Sequence, residues 1–210
     1  NTIKNPGINY LEPGSSSTCE MVTELLMYFD DKIRIGKSAA TALYSGIVVD
    51  TKSFVVQTGI RTFDAAAYLR RNGADPVVVR ELFMADYETT VALAKTKAHS
   101  EYFEGGLVVS TMPTLMPNIQ AIAGQAADSL LTIEGVRMSI VLFQMKDDTV
   151  GISARSVGDL NVQVIMEQFG GGGHQNVAGA QIRGGNIIDL KNQVVAVARK
   201  YISETDKEDD

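Results

Sequence analysis

Apolar residues recur at helical spacing along the first part of the chain, between polar residues that are typical of helix ends. Ser17 and Glu20 have the spacing of a capping box before an apolar run that reaches Tyr28, so we predict a helix there. Apolar spacing and caps predict four further helices, at 38–47, 62–71, 77–84 and 87–98. The region before about residue 95 is therefore predicted to be rich in helices.

The pattern changes near Ser100, where β-branched and aromatic residues begin to alternate with turn residues. Gly105-Gly106 and Asp147-Asp148 each separate two strand-like runs, which predicts two hairpins. The remaining predictions are helices over 119–131, 160–169 and 188–201, and a strand over 178–182. Hairpins alternating with helices indicate a mixed α/β domain.

These patterns predict an α/β protein of two domains, which a chain of 210 residues can form. We place the first domain at residues 1–95 and the second at 96–204. Residues 205–210 are charged and are predicted to be a solvated, frayed tail.

Composition and charge narrow the function classes. The net charge of −6 disfavours a broad positive surface for long nucleic acid, so an anionic ligand has to meet a local cluster of donors. Cys19 is the only cysteine, which excludes an intramolecular disulfide and a cysteine-rich zinc site. The sequence has no membrane-spanning apolar stretch and no secretion signal. Because it begins with Asn1 rather than methionine, we expect it to be part of something longer.

The run Gly170-Gly171-Gly172-Gly173-His174 carries the strongest chemical signal. Four glycines leave backbone N–H groups open to an anion, and the histidine adds a side-chain donor, which predicts a phosphate site. The run lacks the Lys-Ser or Lys-Thr ending of a P-loop and follows a predicted helix, so its role would be recognition rather than triphosphate hydrolysis. The alternatives are a plain connector and a hydrogen-bonded turn histidine.

Arg155 and Asp50 are the other candidate site residues. Alternation along its strand puts Arg155 on the same face as Ser153, and its guanidinium can grip a phosphate through two N–H groups. A surface ion pair is an equally good interpretation. Asp50 follows Ile47-Val48-Val49, so its carboxylate is expected at the end of a buried segment, although helix or strand capping is the simpler role.

Three segments together carry a resemblance to a known family: SSSTCEMVTELL, GIVVDTKSF and GISARSVGDLNVQVIMEQFGGGGHQNVAGAQI. They resemble the DHH phosphoesterase family with its DHH-associated C-terminal domain and, within it, the GdpP-type cyclic di-AMP phosphodiesterases of Gram-positive bacteria. The resemblance covers essentially the whole chain. It implies that residues 1–95 are the C-terminal helical half of a DHH domain and that 96–204 are the mixed-sheet associated domain.

The resemblance also implies chemistry. Asp50 would be a catalytic residue and metal ligand at a pair of manganese ions, and cyclic di-AMP would be hydrolysed to linear pApA in second-messenger turnover. The substrate-binding residues would be Arg155, Ser156, Gly171, Gly172, Gly173 and His174. A cytoplasmic location within a membrane-anchored longer protein is expected, without membrane contact by this segment.

One departure from the family pattern keeps alternatives open. The metal-binding His-Asn-x-Asp-x-Asp and Asp-His-His elements have no counterpart in this sequence, so the chain supplies one metal ligand and the substrate-binding half. The alternatives are a nanoRNase-like or RecJ-like hydrolase of short linear nucleotides and a non-catalytic nucleotide-binding module. Related proteins often dimerise, and the sequence leaves open whether this chain forms a homodimer.

Overall fold

The computed structural model describes residues 8–29, 34–112 and 115–208. Within these ranges the helices are α1 (Thr18–Phe29), α2 (Lys37–Asp50), α3 (Ile60–Arg71), α4 (Pro76–Leu82), α5 (Tyr87–Ala98), α6 (Ile119–Leu130), α7 (Val162–Glu167) and α8 (Ile187–Glu208). The strands are β1 (Glu101–Phe103), β2 (Leu107–Met112), β3 (Met138–Gln144), β4 (Thr149–Ser156), β5 (Gly172–His174) and β6 (Val177–Arg183). The chain divides into two compact units, Asn1–Met84 and Ala85–Asp210.

The first unit consists of α1 to α4. Ile47 and Leu69 are fully buried among small residues, which lets these short helices approach one another closely. The predicted start of α1 is confirmed, because the N–H of Glu20 donates to the hydroxyl of Ser17 over 3.0 Å. The unit therefore has a small core held by helix packing.

The ends of α3 and α4 confirm two further predictions. Gly73 follows α3 with φ +91°, a conformation that glycine adopts without steric cost. Asp75 then caps α4 by accepting a hydrogen bond from the N–H of Val77 over 3.0 Å, and Pro76 occupies the first helical position. Cap chemistry alone thus located this helix boundary.

The second unit is built on a six-stranded sheet with the order β1-β2-β3-β4-β6-β5. Strands β2 and β3 are parallel and the other neighbours are antiparallel. Both predicted hairpins are confirmed, and the two residues at each turn have positive φ, as tight hairpin turns require. The sheet is therefore mixed, as the fold class predicted.

Helices cover both faces of this sheet. On one face α7 and α8 pack on β-sheet residues that include Leu142 and Ile152. On the other face α6 packs on residues that include Val141 and Phe143, with Leu93 of α5 beside them. This second face carries the groove described below.

The unit boundary differs from the predicted division at residues 95 and 96. Helix α5 packs with the second unit, where the buried hydroxyl of Ser110 on β2 donates to the carbonyl of Thr96 over 2.6 Å. The tail also differs, because α8 continues to Glu208 and Asp206 pairs with Arg137 over 2.8 Å. Residues 209 and 210 lie outside the described residues.

In the ranges that the structure describes, every helix is too short or too polar to cross a membrane.

Candidate functional site

A groove of about 1110 Å³ opens in the second unit beside α6 and the β4-β6-β5 end of the sheet. Its lining includes Gly124 and Asp128 of α6, Ser153 and Arg155 of β4, and the run from Gly170 to His174. Arg155 lies on β4, whereas the glycine run and the adjacent His174 lie in and just before β5. The fold brings these three predicted elements to one surface.

Arg155 is held in a fixed position in the wall of this groove. Its side chain is only 15% exposed, its Nε donates to Oδ1 of Asp128 over 3.3 Å, and its Nη1 donates to the carbonyl of Ala154 over 3.0 Å. A Cβ on Gly124 would stand 3.0 Å from Nη2 of Arg155, so the glycine leaves room for the guanidinium. Arg155 therefore forms the ion pair that was one interpretation of the sequence, and it also lines the groove.

The last two glycines of the run form strand β5 together with His174, at the edge of the sheet, rather than a loop. Gly172 pairs with Gly179, and His174 pairs with Val177. A Cβ on Gly171 would clash with the carbonyl oxygen of Gly179 and stand 2.6 Å from the Cβ of Ala180. Because glycine has no side chain, the backbone of this segment can lie directly against β6.

The backbone N–H groups of the run are not all open to a ligand. The N–H of Gly170 donates to the carbonyl of Glu167 over 3.1 Å, and that of Gly171 donates to the carbonyl of Met166 over 2.9 Å. These bonds satisfy carbonyls at the end of α7. The expectation that the N–H of Gly171 faces an anion is therefore wrong. The prediction of open N–H groups is restricted to those of Gly172, Gly173 and His174 that the antiparallel ladder with β6 leaves unbonded.

His174 and Ser153 also line the groove. His174 is exposed at the end of β5, where its ring can turn toward a ligand. Ser153 is 8% exposed and lies two residues before Arg155, so strand alternation puts both side chains on the groove face. A hydroxyl, a guanidinium and an imidazole are all hydrogen-bond donors that suit a phosphate.

Ser156 is not brought into the groove. It is 4% exposed, and its hydroxyl donates to the carbonyl of Leu160 over 2.6 Å. Its N–H donates to the carbonyl of Asn176 over 3.1 Å. Because successive side chains of a strand point to opposite faces, Ser156 faces the side of the sheet that α7 and α8 cover.

Asp50 lies in the first unit, and its predicted setting is wrong. It is the last residue of α2, its side chain is exposed, and Val49 beside it is 51% exposed, so no buried segment ends there. Burial and then the nearby Asp50 carboxylate raise the pKa of the Cys19 thiol. Asp50 therefore stands at a helix end with its charge close to Cys19.

The chain after Asp50 is held in an unusual conformation. Lys52, Ser53 and Phe54 have φ of +46°, +61° and +67°, the left-handed region that non-glycine residues rarely occupy. The buried hydroxyl of Thr51 donates to the carbonyl of Ile47 over 2.7 Å and accepts from the N–H of Phe54 over 2.9 Å. This bracing stabilises the turn.

The described residues do not form a metal site by themselves. No group of three or more histidine, cysteine, aspartate or glutamate side chains is gathered within the ranges that the structure describes. A pair of divalent ions needs several such ligands. Asp50 can supply one carboxylate.

Sequence reasoning missed the contribution of α6 to the groove. Gly124 makes room for Arg155 and Asp128 orients it, but neither residue stands out in a helix of small and polar residues. Gln125 and Gln181 also line the groove and carry amides that can read a nucleobase edge. The position of Ser153, in contrast, could be predicted from strand alternation.

Comparison with known proteins connects this groove to a family. A model of the DHHA1 domain matches residues 114–204. Over 95% of its length the chain is 43% identical to the cyclic-di-AMP phosphodiesterase PdeA of Listeria monocytogenes and 45% identical to the cyclic-di-AMP phosphodiesterase GdpP of Geobacillus thermodenitrificans. It spans 30% of the length of each.

More distant similarities agree with this placement. The chain is 29% identical, over 90% of its length and 58% of the relative's, to the bifunctional oligoribonuclease and PAP phosphatase NrnA of Mycoplasma genitalium. The crystal structure of an exopolyphosphatase-related protein from Bacteroides fragilis matches this chain with a TM-score of 0.78 at 21% identity. The match covers 94% of this chain and 59% of that protein, and it supports the fold of this chain. Residues 114–204 therefore match the DHHA1 domain, within a chain similar along 95% of its length to cyclic-di-AMP phosphodiesterases.

Proposed function

We propose that the chain supplies the substrate-binding part of a phosphodiesterase that hydrolyses cyclic di-AMP to linear pApA. The observation that carries the proposal is the groove, whose lining contains both the anchored guanidinium of Arg155 and His174 of β5. The similarity to PdeA and GdpP supplies the substrate class.

The size and chemistry of the groove suit a dinucleotide. Its volume of about 1110 Å³ is at the upper end of pockets that hold small ligands. Amides of Gln125 and Gln181 offer both donors and acceptors to adenine, whose N6 and N7 atoms need one of each. The groove thus offers separate partners to the phosphates and the bases.

Asp128 prepares Arg155 for an anion instead of neutralising it completely. A guanidinium carries five N–H donors, of which Asp128 engages the one on Nε and the carbonyl of Ala154 engages one of the two on Nη1. Because the guanidinium is already held in one orientation, less side-chain entropy is lost when a phosphate binds. A phosphodiester oxygen would then meet a donor that is already in place.

Asp50 has a limited role in this proposal. It would contribute one carboxylate to a manganese site, and the described residues gather no group of three or more possible ligands. Replacing Asp50 by asparagine in the full-length gene product should abolish turnover and leave pApA affinity in metal-free buffer unchanged.

A second candidate is hydrolysis of short linear nucleotides, which the similarity to NrnA favours. Comparing turnover of cyclic di-AMP, cyclic di-GMP and pApA by the full-length gene product separates the two. A preference for cyclic di-AMP supports our proposal, whereas exclusive turnover of pApA supports the alternative.

The direct test is product analysis. The full-length gene product should convert cyclic di-AMP to pApA in the presence of manganese, and replacing Arg155 by alanine should raise KM. If no pApA forms while the protein still binds the nucleotide, the chain is a non-catalytic binding module and the proposal fails.

A further inference from the structure

Asp128 places a negative charge in the same groove as Arg155. Among the described residues of the lining, the side chains that carry charge or can gain it are Asp128, Arg155 and His174. With His174 neutral, the carboxylate and the guanidinium sum to zero formal charge. The donor that is proposed to bind a phosphate therefore has a fixed negative charge beside it.

Helix stability does not account for this charge. Asp128 lies in the last turn of α6, which ends at Leu130. The C-terminal end of a helix carries negative potential, so a carboxylate there is unfavourable. An asparagine could accept the same hydrogen bond from Nε of Arg155, because its side-chain oxygen has the same position. Charge is thus the property that distinguishes aspartate from asparagine at this position.

The charge of Asp128 acts on the groove as well as on Arg155. Its side chain is 39% exposed, against 15% for Arg155, and 3.3 Å separates the two groups. Because both side chains line the groove, a phosphate that the guanidinium binds also comes close to the carboxylate. Attraction to Arg155 and repulsion from Asp128 both grow in proportion to the charge of that phosphate.

The substrate and the product of the proposed reaction differ in phosphate charge. Each phosphodiester of cyclic di-AMP carries one negative charge. Hydrolysis to pApA creates a terminal phosphomonoester, whose second ionisation has a pKa of about 6, so that it carries nearly two charges at neutral pH. A lone guanidinium would attract this terminal phosphate more strongly than a phosphodiester.

We propose that Asp128 is a specificity-determining residue that removes this advantage of the terminal phosphate. Its charge offsets the extra attraction of a dianion to Arg155, so that a phosphodiester competes equally for the guanidinium. The product is then not retained through its terminal phosphate. This inference rests on the phosphate-binding role of Arg155 proposed above.

The test compares AMP with its 5′-methyl phosphodiester, because the two ligands differ in phosphate charge and share the nucleoside. Calorimetry measures how each displaces pApA from the whole chain, without metal and at one fixed salt concentration, at about pH 7.5 and about pH 5. In the wild type we expect the two ligands to bind within about twofold of each other at both pH values. Asp128→Asn should make AMP bind about three- to tenfold more tightly than its ester at the higher pH only.

Two further variants are controls. Asp128→Glu keeps the charge and should keep the wild-type ratio of the two affinities. Asp189→Asn removes the same charge from an exposed position of α8 outside the groove lining and should also keep it. Protonation of His174 occurs in the wild type and in the variants alike, so the comparison between proteins removes its effect.

Three results overturn the inference. The first is a wild type that already prefers AMP at the higher pH, or an Asp128→Asn variant with the wild-type ratio. The second is a preference of Asp128→Asn for AMP that persists at the lower pH, because its cause is then the shape of the groove. The third is failure of both mononucleotides to displace pApA, because a single phosphate is then not held at Arg155.

The outcomes also separate this inference from the proposed function. If pApA binds and Arg155→Ala weakens its binding, the proposed role of the groove survives all three results. Failure of the wild-type chain to bind cyclic di-AMP and pApA overturns both.

Discussion

Replacing Gly171 by alanine is expected to force β5 away from β6. The added Cβ would clash with the carbonyl oxygen of Gly179 and stand 2.6 Å from the Cβ of Ala180. Neither neighbour is the flexible end of a long side chain. Relief therefore requires movement of backbone, and with it of the strand that carries His174.

The magnitude follows from overpacking. Forcing one extra methyl group into a closely packed site costs about 1 to 3 kcal/mol. For a unit of this size, each kcal/mol lowers the unfolding midpoint by roughly 4 °C, which predicts a decrease of about 4 to 12 °C. Gly172 is the matched control, because a Cβ there meets no atom within 4 Å.

Thermal unfolding followed by circular dichroism measures this difference. We expect Gly172→Ala to unfold within about 2 °C of the wild type and Gly171→Ala to unfold clearly earlier. Calorimetry should also show weaker pApA binding by Gly171→Ala, since β5 borders the groove. Equal midpoints for the two variants would refute the close packing of β5 on β6.

Two further predictions concern the first unit. Burial alone would raise the pKa of Glu20, but hydrogen bonds from Ser16 and other hydroxyls outweigh burial and lower this pKa in the folded state. The stabilisation by Glu20 is therefore present above pH about 4.3, its pKa in the unfolded chain, and is lost as the pH falls through its pKa in the folded state. Glu20→Gln should destabilise the unit near pH 7 and reduce the loss of stability at acid pH. Urea titrations at several pH values measure this, and an unchanged loss of stability at acid pH would contradict the prediction. Because burial and then Asp50 raise the pKa of Cys19, Asp50→Asn should speed iodoacetamide alkylation of Cys19 at pH 8, and an unchanged rate would show that the two groups do not interact.

Local signals in the sequence predicted much of the fold. Gly105-Gly106 and Asp147-Asp148 identified both hairpins because tight turns need residues that tolerate positive φ. Asp75 and Gly73 identified helix ends through the same kind of local chemistry. Such signals act over a few residues and do not depend on the rest of the chain.

Features set by distant contacts could not be predicted in this way. Gly172 and Gly173 have low strand propensity and lie in β5 only because β6 pairs with them. Ile47-Val48-Val49 has the composition of a strand, yet helix packing keeps it in α2. The end of α8 and the assignment of α5 depend on partners elsewhere in the second unit.

The candidate site shows the same division. Strand alternation placed Ser153 beside Arg155 and, applied one residue further, places Ser156 on the opposite face. The positions of Gly124 and Asp128 around the guanidinium follow from how α6 lies on the sheet, which no short motif records.

The groove around Arg155 is proposed to bind the phosphates of a dinucleotide. Calorimetric titration of pApA into the wild type, Arg155→Ala and Arg137→Ala tests it most directly, because Arg137 is also ion-paired, to Asp206, but lies outside the groove lining. Losing a charge-assisted hydrogen bond costs about 1.5 to 3 kcal/mol, so Arg155→Ala should raise Kd at least about tenfold. Arg137→Ala should leave it within about twofold. Equal affinities for Arg155→Ala and the wild type, or equal losses in both variants, would contradict the account.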